Sequence, residues 1–156
     1  MLYLKEVIIE NWKAVTSLSV SENQQGYIES NAFSLAESKF LKQWRPAAIY
    51  DNKELIGFAM YGYFDNEKRV WLDRFMIDSK YQGKGYGKKA LVIIIRHIVL
   101  EYECKEIYLS IFKNNIIAEK LYKEVGFKFN GERDEGGEFV MVLNVEDFEK
   151  QYVEKV

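Results

Sequence analysis

The segment from residue 69 to residue 112 constrains the fold most, because it places a glycine-rich loop between a strand pattern and a long helix pattern. The sequence "RVWLDRFMI" at 69–77 predicts a buried strand, and "YQGKGYGKK" at 81–89 holds three glycines within five positions. The following "YGKKALVIIIRHIVLEYE" at 86–103 has helical length and periodicity, and "EIYLSIF" at 106–112 alternates like a second strand. This order predicts two parallel strands joined by a right-handed crossover.

Hairpin patterns on both sides of this unit make the predicted sheet mixed, so the fold class is α/β. The chain of 156 residues suits a single domain spanning 1–156. Further strands are predicted at 2–9, 47–50, 54–64, 127–130 and 138–144, with a turn at 65–68. Further helices are predicted at 11–22, at 33–43 with Ser34 as N-cap, from about 115 to a C′ glycine at Gly126, and at 145–153.

Composition excludes several classes of function. The net charge of −2 leaves no basic footprint for nucleic acid, and no apolar run reaches membrane-spanning length. The N-terminus lacks the features of a signal peptide. A single cysteine, Cys104, excludes an intramolecular disulfide framework and fits a reducing cytoplasm. With one His and one Cys, a metal site would need carboxylates almost alone, so no metal is expected.

The glycine-rich loop ends a strand and begins a helix, which is where backbone N–H groups and the helix dipole favour an anion. Gly83, Gly85 and Gly87 allow close backbone approach, and Lys84 and Lys88 add positive charge. The alternative is a tight turn with solvated lysines. A P-loop would need Ser or Thr after the lysine, and a dinucleotide-binding loop would need a differently placed third glycine, so neither motif fits.

The pattern Gln82-x-x-Gly85-x-Gly87 resembles the acyl-CoA pyrophosphate loop of the GCN5-related N-acetyltransferase (GNAT) family. Downstream, "NNIIAEKLYKEVGF" is similar to the family's N-x-x-A-x-x-L-Y-x-x-x-G-F helix. The segments "IGFAMYGYF" and "WLDRFMIDSKYQGKGYG" look like those of the diamine and polyamine (spermidine/spermine) N-acetyltransferases. The resemblance implies a mostly antiparallel sheet of six to seven strands, flanked by helices, with one splayed parallel pair.

The resemblance also implies an acetyl-CoA-dependent enzyme that acts on a primary amine, in particular a polyamine, by direct attack in a ternary complex. The family's acyl-CoA contacts fall on a set of loop, strand and helix residues. These are Phe75, Met76, Ile77, Gln82, Gly83, Lys84, Gly85, Tyr86, Gly87, Lys88, Asn115 and Tyr122. The backbone of the three strand residues would pair with the pantetheine amides, and an N–H near Met76 would stabilise the oxyanion.

Two residues are expected to carry the chemistry, and each has a structural alternative. By resemblance, the Tyr122 hydroxyl meets the CoA sulfur and hydrogen-bonds to the leaving thiolate; the alternative is a core aromatic beside Leu121. Asp73 falls where the family has an acidic proton acceptor; the alternative is an ion pair with Arg74. An aspartate with a pKa near its usual ~3.9 is a weak base, so a water relay or a raised pKa is expected. Asn115 fits either a cofactor contact or an N-cap.

Acidic and aromatic residues are expected to bind the cationic substrate: Tyr27, Glu29, Trp71, Asp73 and Glu132. Alternative functions are the same chemistry on an amino acid, aminoglycoside or protein N-terminus, and a non-catalytic CoA or polyamine sensor. A nicotinamide-nucleotide module is a third, disfavoured by the misplaced glycine. The expected location is cytoplasmic, no nucleic-acid or membrane partner is expected, and the resemblance suggests a homodimer.

Overall fold

A computed structural model describes residues 1–153 and contains, within that range, one seven-stranded sheet with five α-helices. The strands are β1 (Leu2–Glu6), β2 (Trp44–Asp51), β3 (Glu54–Phe64), β4 (Arg69–Ile77), β5 (Glu106–Ile111), β6 (Lys128–Arg133) and β7 (Phe139–Asn144). The helices are α1 (Trp12–Ser17), α2 (Asn31–Phe40), α3 (Tyr86–Tyr102), α4 (Ile116–Val125) and α5 (Val145–Tyr152). Residues 154–156, which the predicted domain includes, lie outside the described residues.

The sheet has the strand order β1-β2-β3-β4-β5-β7-β6. Five of its neighbouring pairs are antiparallel, and β4 with β5 is the one parallel pair among the described strands. Helix α3 connects the two strands of the parallel pair, because parallel strands need a crossover connection. The predicted fold class, a mixed and mostly antiparallel α/β sheet flanked by helices, is confirmed.

Alternation along β2 and along residues 58–61 of β3 creates two hydrophobic cores, one on each face of the sheet. Ala47 and Ile49 pack in the larger core against the apolar face of α3, whereas the intervening Ala48 packs in the smaller core with Phe58 and Val15 of α1. Side chains of a strand point alternately to opposite faces, so both faces must be covered. Helix α3 is the main cover of one face, and α1 and α2 cover the other.

The strand predicted at 2–9 and the helix predicted at 11–22 are both wrong in length. The Asn11 side chain ends β1 early, because it accepts the N–H of Ile8 at 2.7 Å and donates to the carbonyl of Glu6 at 3.0 Å. Helix α1 stops at Ser17, and Glu22–Gln24 forms a separate 3₁₀ turn. Between them, the N–H of Ser19 donates to the Asp78 carboxylate at 2.9 Å. This long-range bond holds the chain extended where local periodicity favoured a helix.

The helix predicted at 33–43 begins and ends earlier, as Asn31–Phe40. Ser30 is its N-cap, with a hydroxyl that accepts the N–H of Phe33 at 3.1 Å, so the prediction of Ser34 as the cap is wrong. Ser34 is fully buried inside the first turn, and its hydroxyl has no hydrogen-bond partner among the described residues. Ser30 and Ser34 give the same capping signal in the sequence, so the sequence alone cannot tell which of them is the N-cap. The burial of Ser34 in the structure decides between them.

Elements near the middle of the chain are predicted best. The strands at 54–64 and 69–77 are confirmed at both ends, and the helix at 86–103 ends one residue earlier. The strand predicted at 47–50 is longer, because Pro46 lies within β2 opposite Met60. The strand predicted at 127–130 extends to Arg133. Gly126 ends α4 with a φ of 126°. Its N–H donates to the carbonyl of Lys123 and the N–H of Phe127 donates to that of Tyr122, which is the pattern of the predicted C′ glycine.

Candidate active site

The parallel strands β4 and β5 separate after a short contact. They pair only at Val70 with Ile107 and at Trp71 with Tyr108, although β4 continues to Ile77. Beyond these pairs, no described strand lies along that edge of β4. The separation opens a slot at the carboxyl ends of both strands, and it leaves backbone N–H and C=O groups of β4 free to bind an extended molecule.

A β-bulge in β4 lies where the slot begins. Met60 of β3 pairs with Arg74 and the next residue, Tyr61, pairs with Leu72, so Asp73 has no partner of its own. A bulge of this kind bends the strand and changes the direction in which a side chain points. The bulge therefore explains both the divergence of β4 from β5 and the position of the Asp73 carboxylate in the slot.

The slot is part of a cavity of about 670 Å³. Its walls come from β4 beyond the bulge, the loop before α3, the end of β5, helix α4, residues 20–29 and one residue of the β6–β7 turn. The predicted site residues on these walls are Tyr27, Glu29, Asp73, Phe75, Met76, Ile77, Gln82, Gly83, Gly85, Tyr86, Gly87, Asn115 and Tyr122. The fold thus brings together thirteen residues that are scattered over almost a hundred positions of the sequence.

The glycine-rich loop forms one end of the cavity. Gly83 and Gly85 have φ angles of 76° and 82°, the left-handed region, and a Cβ added at either would meet nothing within 4 Å. Glycine is therefore needed at these two positions for backbone conformation. Gln82 fixes the loop, because its side-chain amide donates to the carbonyl of Ile77 at 2.8 Å and to the Gln24 side chain at 3.0 Å.

The loop leads directly into α3, whose first turn contains no acidic residue. The first N–H groups of a helix have no partner within the helix, and they carry the positive end of the dipole. The Gly85 cap has no side chain that could accept these N–H groups. This end of the cavity suits a phosphate or diphosphate group.

Tyr122 lies on the cavity wall that α4 forms. It is 9% exposed, and its ring packs edge-to-face on Phe127 with centroids 5.7 Å apart. Burial raises the pKa of its hydroxyl above the ordinary value, so the group stays protonated and can donate a hydrogen bond. The predicted alternative, a core aromatic, is confirmed; the residue also lines the cavity, and its contact with the CoA sulfur stays a prediction.

Asn115 caps the same helix. Its side-chain oxygen accepts the N–H of Ala118 at 3.4 Å, which is the N-cap arrangement. The residue also lines the cavity. The capping alternative is confirmed, and the cofactor contact stays a prediction.

Asp73 is in a partly buried ion pair with Arg74, which also faces Glu37 at 3.5 Å. Its side chain is 28% exposed. Burial raises the pKa of Asp73, the positive charge of Arg74 opposes this rise, and nearby Glu37, Asp134 and Glu29 reinforce it. The predicted ion pair with Arg74 is therefore present, and the carboxylate still reaches the cavity.

Glu138 is a cavity residue that the sequence analysis did not identify. Burial, a hydrogen bond with Asp134 and the negative charges of Asp134 and Asp73 raise its pKa to about 7, whereas Arg74 lowers it. The signal in the sequence was an acidic turn, "RDEGGE", immediately before the last strand. It was not informative because an acidic turn between strands is usually solvated.

Four predicted site residues lie outside the cavity. The Trp71 indole donates to Glu67 at 2.7 Å, and the Glu132 carboxylate accepts two hydrogen bonds from Arg69 at 2.7 and 2.9 Å. The side chains of Lys84 and Lys88 are not on the cavity wall. Trp71 is held where β4 is still paired with β5, before the slot opens. The binding roles of these four residues stay predictions.

Within residues 1–153, no group of three or more His, Cys, Asp or Glu side chains is arranged to hold a metal ion. None of the helices in this range is both long and apolar enough to cross a membrane.

Sequence comparison defines the class. The model of the Acetyltransferase (GNAT) family matches residues 11–127. The chain belongs to this family, as the loop and the α4 motif predicted. It is 51% identical to the spermine/spermidine N(1)-acetyltransferase of Bacillus subtilis (strain 168), in a 145-residue alignment that covers 89% of this chain and 95% of that protein.

Solved structures show the same fold. The spermidine N-acetyltransferase from Vibrio cholerae in complex with CoA and spermine superposes with a TM-score of 0.74 at 20% identity, covering 94% of this chain and 97% of that one. The aminoglycoside acetyltransferase AAC(6')-Ib in complex with coenzyme A superposes with a TM-score of 0.79 at 18% identity, covering 96% and 98%. At these identities the likeness establishes the architecture.

Proposed function

We propose that the protein is an acetyltransferase that transfers the acetyl group of acetyl-CoA to a primary amine of a polyamine such as spermidine or spermine. One observation carries the proposal: a single cavity is lined by an anion-binding loop, by Tyr122 and by a group of carboxylates. The 51% identity to a spermine/spermidine N(1)-acetyltransferase supports the choice of amine.

The cavity fits the shape and chemistry of coenzyme A. The free N–H groups at the start of α3 suit its diphosphate, and the unpaired edge of β4 at Phe75, Met76 and Ile77 suits the amides of its pantetheine arm. Asn115 and Tyr122 line the wall towards which that arm would extend. Bound acetyl-CoA supplies an activated acetyl thioester and a thiol leaving group.

The other end of the cavity suits a cation. Glu29, Asp73 and Glu138 line it, with Arg74 as the positive side chain on the same wall. The Tyr27 and Phe112 rings lie 6.1 Å apart and offer aromatic faces to the methylene chain or to a second ammonium group. Carboxylates with aromatic faces are the combination that a flexible diamine or polyamine requires.

Acetyl transfer needs a neutral amine. A primary alkylammonium titrates near 10.4, so about one molecule in a thousand is neutral at pH ~7.4, and deprotonation costs about 4 kcal/mol. Asp73 holds the ammonium group and passes its proton on. Its position at the bulge on the cavity wall supports this role, and its raised pKa makes it a better acceptor than an exposed aspartate. The Tyr122 hydroxyl donates a hydrogen bond to the sulfur as negative charge develops there.

The acetyl group passes directly to the amine, without an acyl-enzyme. Cys104 is the one cysteine of the chain, it does not line the cavity, and burial raises the pKa of its thiol. A thiol that is remote and largely protonated is a poor acyl carrier. Replacing Cys104 with serine is therefore expected to leave turnover unchanged.

An amine panel tests the function. The protein is incubated with acetyl-CoA and, separately, spermine, spermidine, a short diamine, an amino acid, an aminoglycoside and a peptide N-terminus, and the released thiol is measured. We expect the highest kcat/KM with spermine or spermidine. Preference for another amine would reassign the substrate, and saturable binding of CoA or spermine without turnover would show a sensor rather than an enzyme.

The biological setting is also proposed. The chain acts as one acetyltransferase domain, which the continuous sheet from β1 to β6 supports. A cytoplasmic location fits its free cysteine and its proposed co-substrate. No nucleic-acid or membrane partner is proposed, and the net charge of −2 agrees with the first of these. The family resemblance suggests a homodimer, which sedimentation of the purified protein would test.

A further inference from the structure

We propose that Glu138 is the final acceptor of the proton that the substrate ammonium loses, and that Asp134 holds it in position. The inference rests on the proposed acetyl transfer and adds to it a proton-accepting residue on β7's side of the cavity, across from Asp73 on β4. The inference comes from the hydrogen bonds that fix the β6–β7 turn. A turn that lay only in solvent would not need these bonds.

The turn is built around Asp134. One of its carboxylate oxygens accepts the N–H of Glu138 at 2.8 Å, and the other accepts the Ser110 hydroxyl of β5 at 2.9 Å. Its own N–H donates to the carbonyl of Glu138 at 2.9 Å, and its carbonyl accepts the N–H of Gly137 at 3.0 Å. These bonds attach the turn to the end of β5, where the slot opens, and fix the backbone from which Glu138 extends.

Glu138 differs from Asp73 in its partners. The guanidinium of Arg74 lies against Asp73 and favours its ionised form, whereas the nearest partner of Glu138 is another carboxylate, Asp134. The charged groups that face Glu138 are Asp134 in its own turn and Asp73 and Arg74 on β4, and two of these three are negative. A proton taken up by Glu138 relieves repulsion within this group.

The pKa of about 7 suits the task. Transfer of a proton from an ammonium group with a pKa near 10.4 to Glu138 has an equilibrium constant that is unfavourable by about three orders of magnitude. For a carboxylate at the reference pKa of aspartate, the constant is unfavourable by about six orders of magnitude. Efficient general bases have a pKa near the working pH. At neutral pH Glu138 is present in both forms, so it can accept a proton and release it again to solvent.

In the proposed step, the substrate R–NH₃⁺ gives one proton to the Glu138 carboxylate, through Asp73 or a water molecule, and becomes R–NH₂. The nitrogen lone pair forms the N–C bond to the acetyl carbon while the C–S bond breaks, with its electrons remaining on sulfur. The nitrogen loses its second proton as the C–S bond breaks, and the sulfur, to which Tyr122 donates a hydrogen bond, gains that proton. The products are the N-acetylamine, the thiol and one proton on Glu138, which passes to solvent.

The pH dependence of kcat/KM distinguishes a proton acceptor from a static binding charge. With Glu138 as acceptor, the ammonium form reacts, so kcat/KM rises through about pH 7 and then levels off. In Glu138→Gln only the rare neutral amine reacts, so kcat/KM for spermine keeps rising to the pKa of the amine. We expect a loss of about 100-fold at pH 7, mostly in kcat, that shrinks at high pH.

Glu135→Gln is the matched control, because Glu135 is an exposed acid in the same turn and does not line the cavity. It removes the same charge and is expected to keep the wild-type profile. Glu138→Asp retains a carboxylate and is expected to keep the levelling profile at reduced rate. CoA affinity by calorimetry and the thermal midpoint show that each variant is folded.

Two results would overturn the inference. One is a Glu138→Gln profile parallel to that of the wild type, and the other is a loss confined to KM, which would make Glu138 a binding charge. A wild-type protein that acetylates no amine would instead remove the proposed function. The two failures are therefore distinguishable in one data set.

Discussion

Replacing Tyr122 with phenylalanine removes one hydroxyl and leaves the buried ring in place. The ring packs on Phe127 and is 9% exposed, so the variant keeps the contacts that the side chain contributes to the core. The hydroxyl belongs to the cavity wall, and none of the hydrogen bonds found within residues 1–153 uses it as donor or acceptor. The substitution therefore tests chemistry with little effect on folding.

The size of the effect follows from the hydrogen bond that Tyr122 is proposed to donate. Burial raises its pKa, while a thiol titrates near 8.5, so complete proton transfer to the leaving sulfur is unfavourable. A hydrogen bond to a charged acceptor contributes about 1.5–3 kcal/mol. Since each 1.36 kcal/mol changes a rate tenfold, kcat is expected to fall by about 10- to 150-fold.

The assay is thiol release from acetyl-CoA with saturating spermine, with CoA affinity measured separately by calorimetry. We expect kcat to fall and the Kd of CoA to change by less than about threefold, because the sulfur of bound CoA is a thiol that carries no developing negative charge. Tyr61→Phe is the matched control, since Tyr61 is a buried tyrosine of β3 outside the cavity. An unchanged kcat in Tyr122→Phe, or an equal loss in both variants, would refute the role.

Three further substitutions test other parts of the site. Asp73→Asn removes a negative charge that raises the pKa of Glu138. The rise of kcat/KM with pH is therefore expected to shift to lower pH, and kcat is expected to fall. A shift of this rise to higher pH would contradict the electrostatics. Gly57→Ala places a Cβ 2.4 Å from the backbone oxygen of Met76, so urea denaturation should show a loss of about 1–3 kcal/mol, and unchanged stability would show that β3 and β4 can separate. Asn115→Ala removes the cap of α4, with an expected loss of about 1 kcal/mol and weaker CoA binding; full CoA affinity would leave Asn115 as a cap alone.

The sequence predicts the central part of the fold well because local and long-range preferences agree there. Strand β3 is a largely apolar segment, β4 is apolar apart from Arg69, Asp73 and Arg74, and a polar turn joins the two strands. Helix α3 begins directly after two glycines in the left-handed conformation. The N-terminal part is predicted less well. There Asn11 captures the backbone of residues 6–8, and Ser19 is bound by Asp78, which is distant in sequence.

The site is predicted in part for a related reason. The loop and the Tyr122 helix are continuous motifs, so their residues were identified and the fold brings them to one cavity. The amine end depends on the bulge at Asp73 and on the divergence of β4 from β5, which simple alternation cannot show. Alternation of side chains along a strand puts Trp71 and Asp73 on the same face of β4, although only Asp73 lines the cavity. Alternation also gives no reason to select Glu138, which lies at the end of an acidic turn.

A crystal structure of the protein with coenzyme A would show directly how the cofactor is bound. We expect the diphosphate against the backbone N–H groups of residues 82–88, the pantetheine arm along the free edge of β4, and the sulfur near the Tyr122 hydroxyl. Coenzyme A bound elsewhere, or a sulfur on the far side of the cavity from Tyr122, would contradict this expectation.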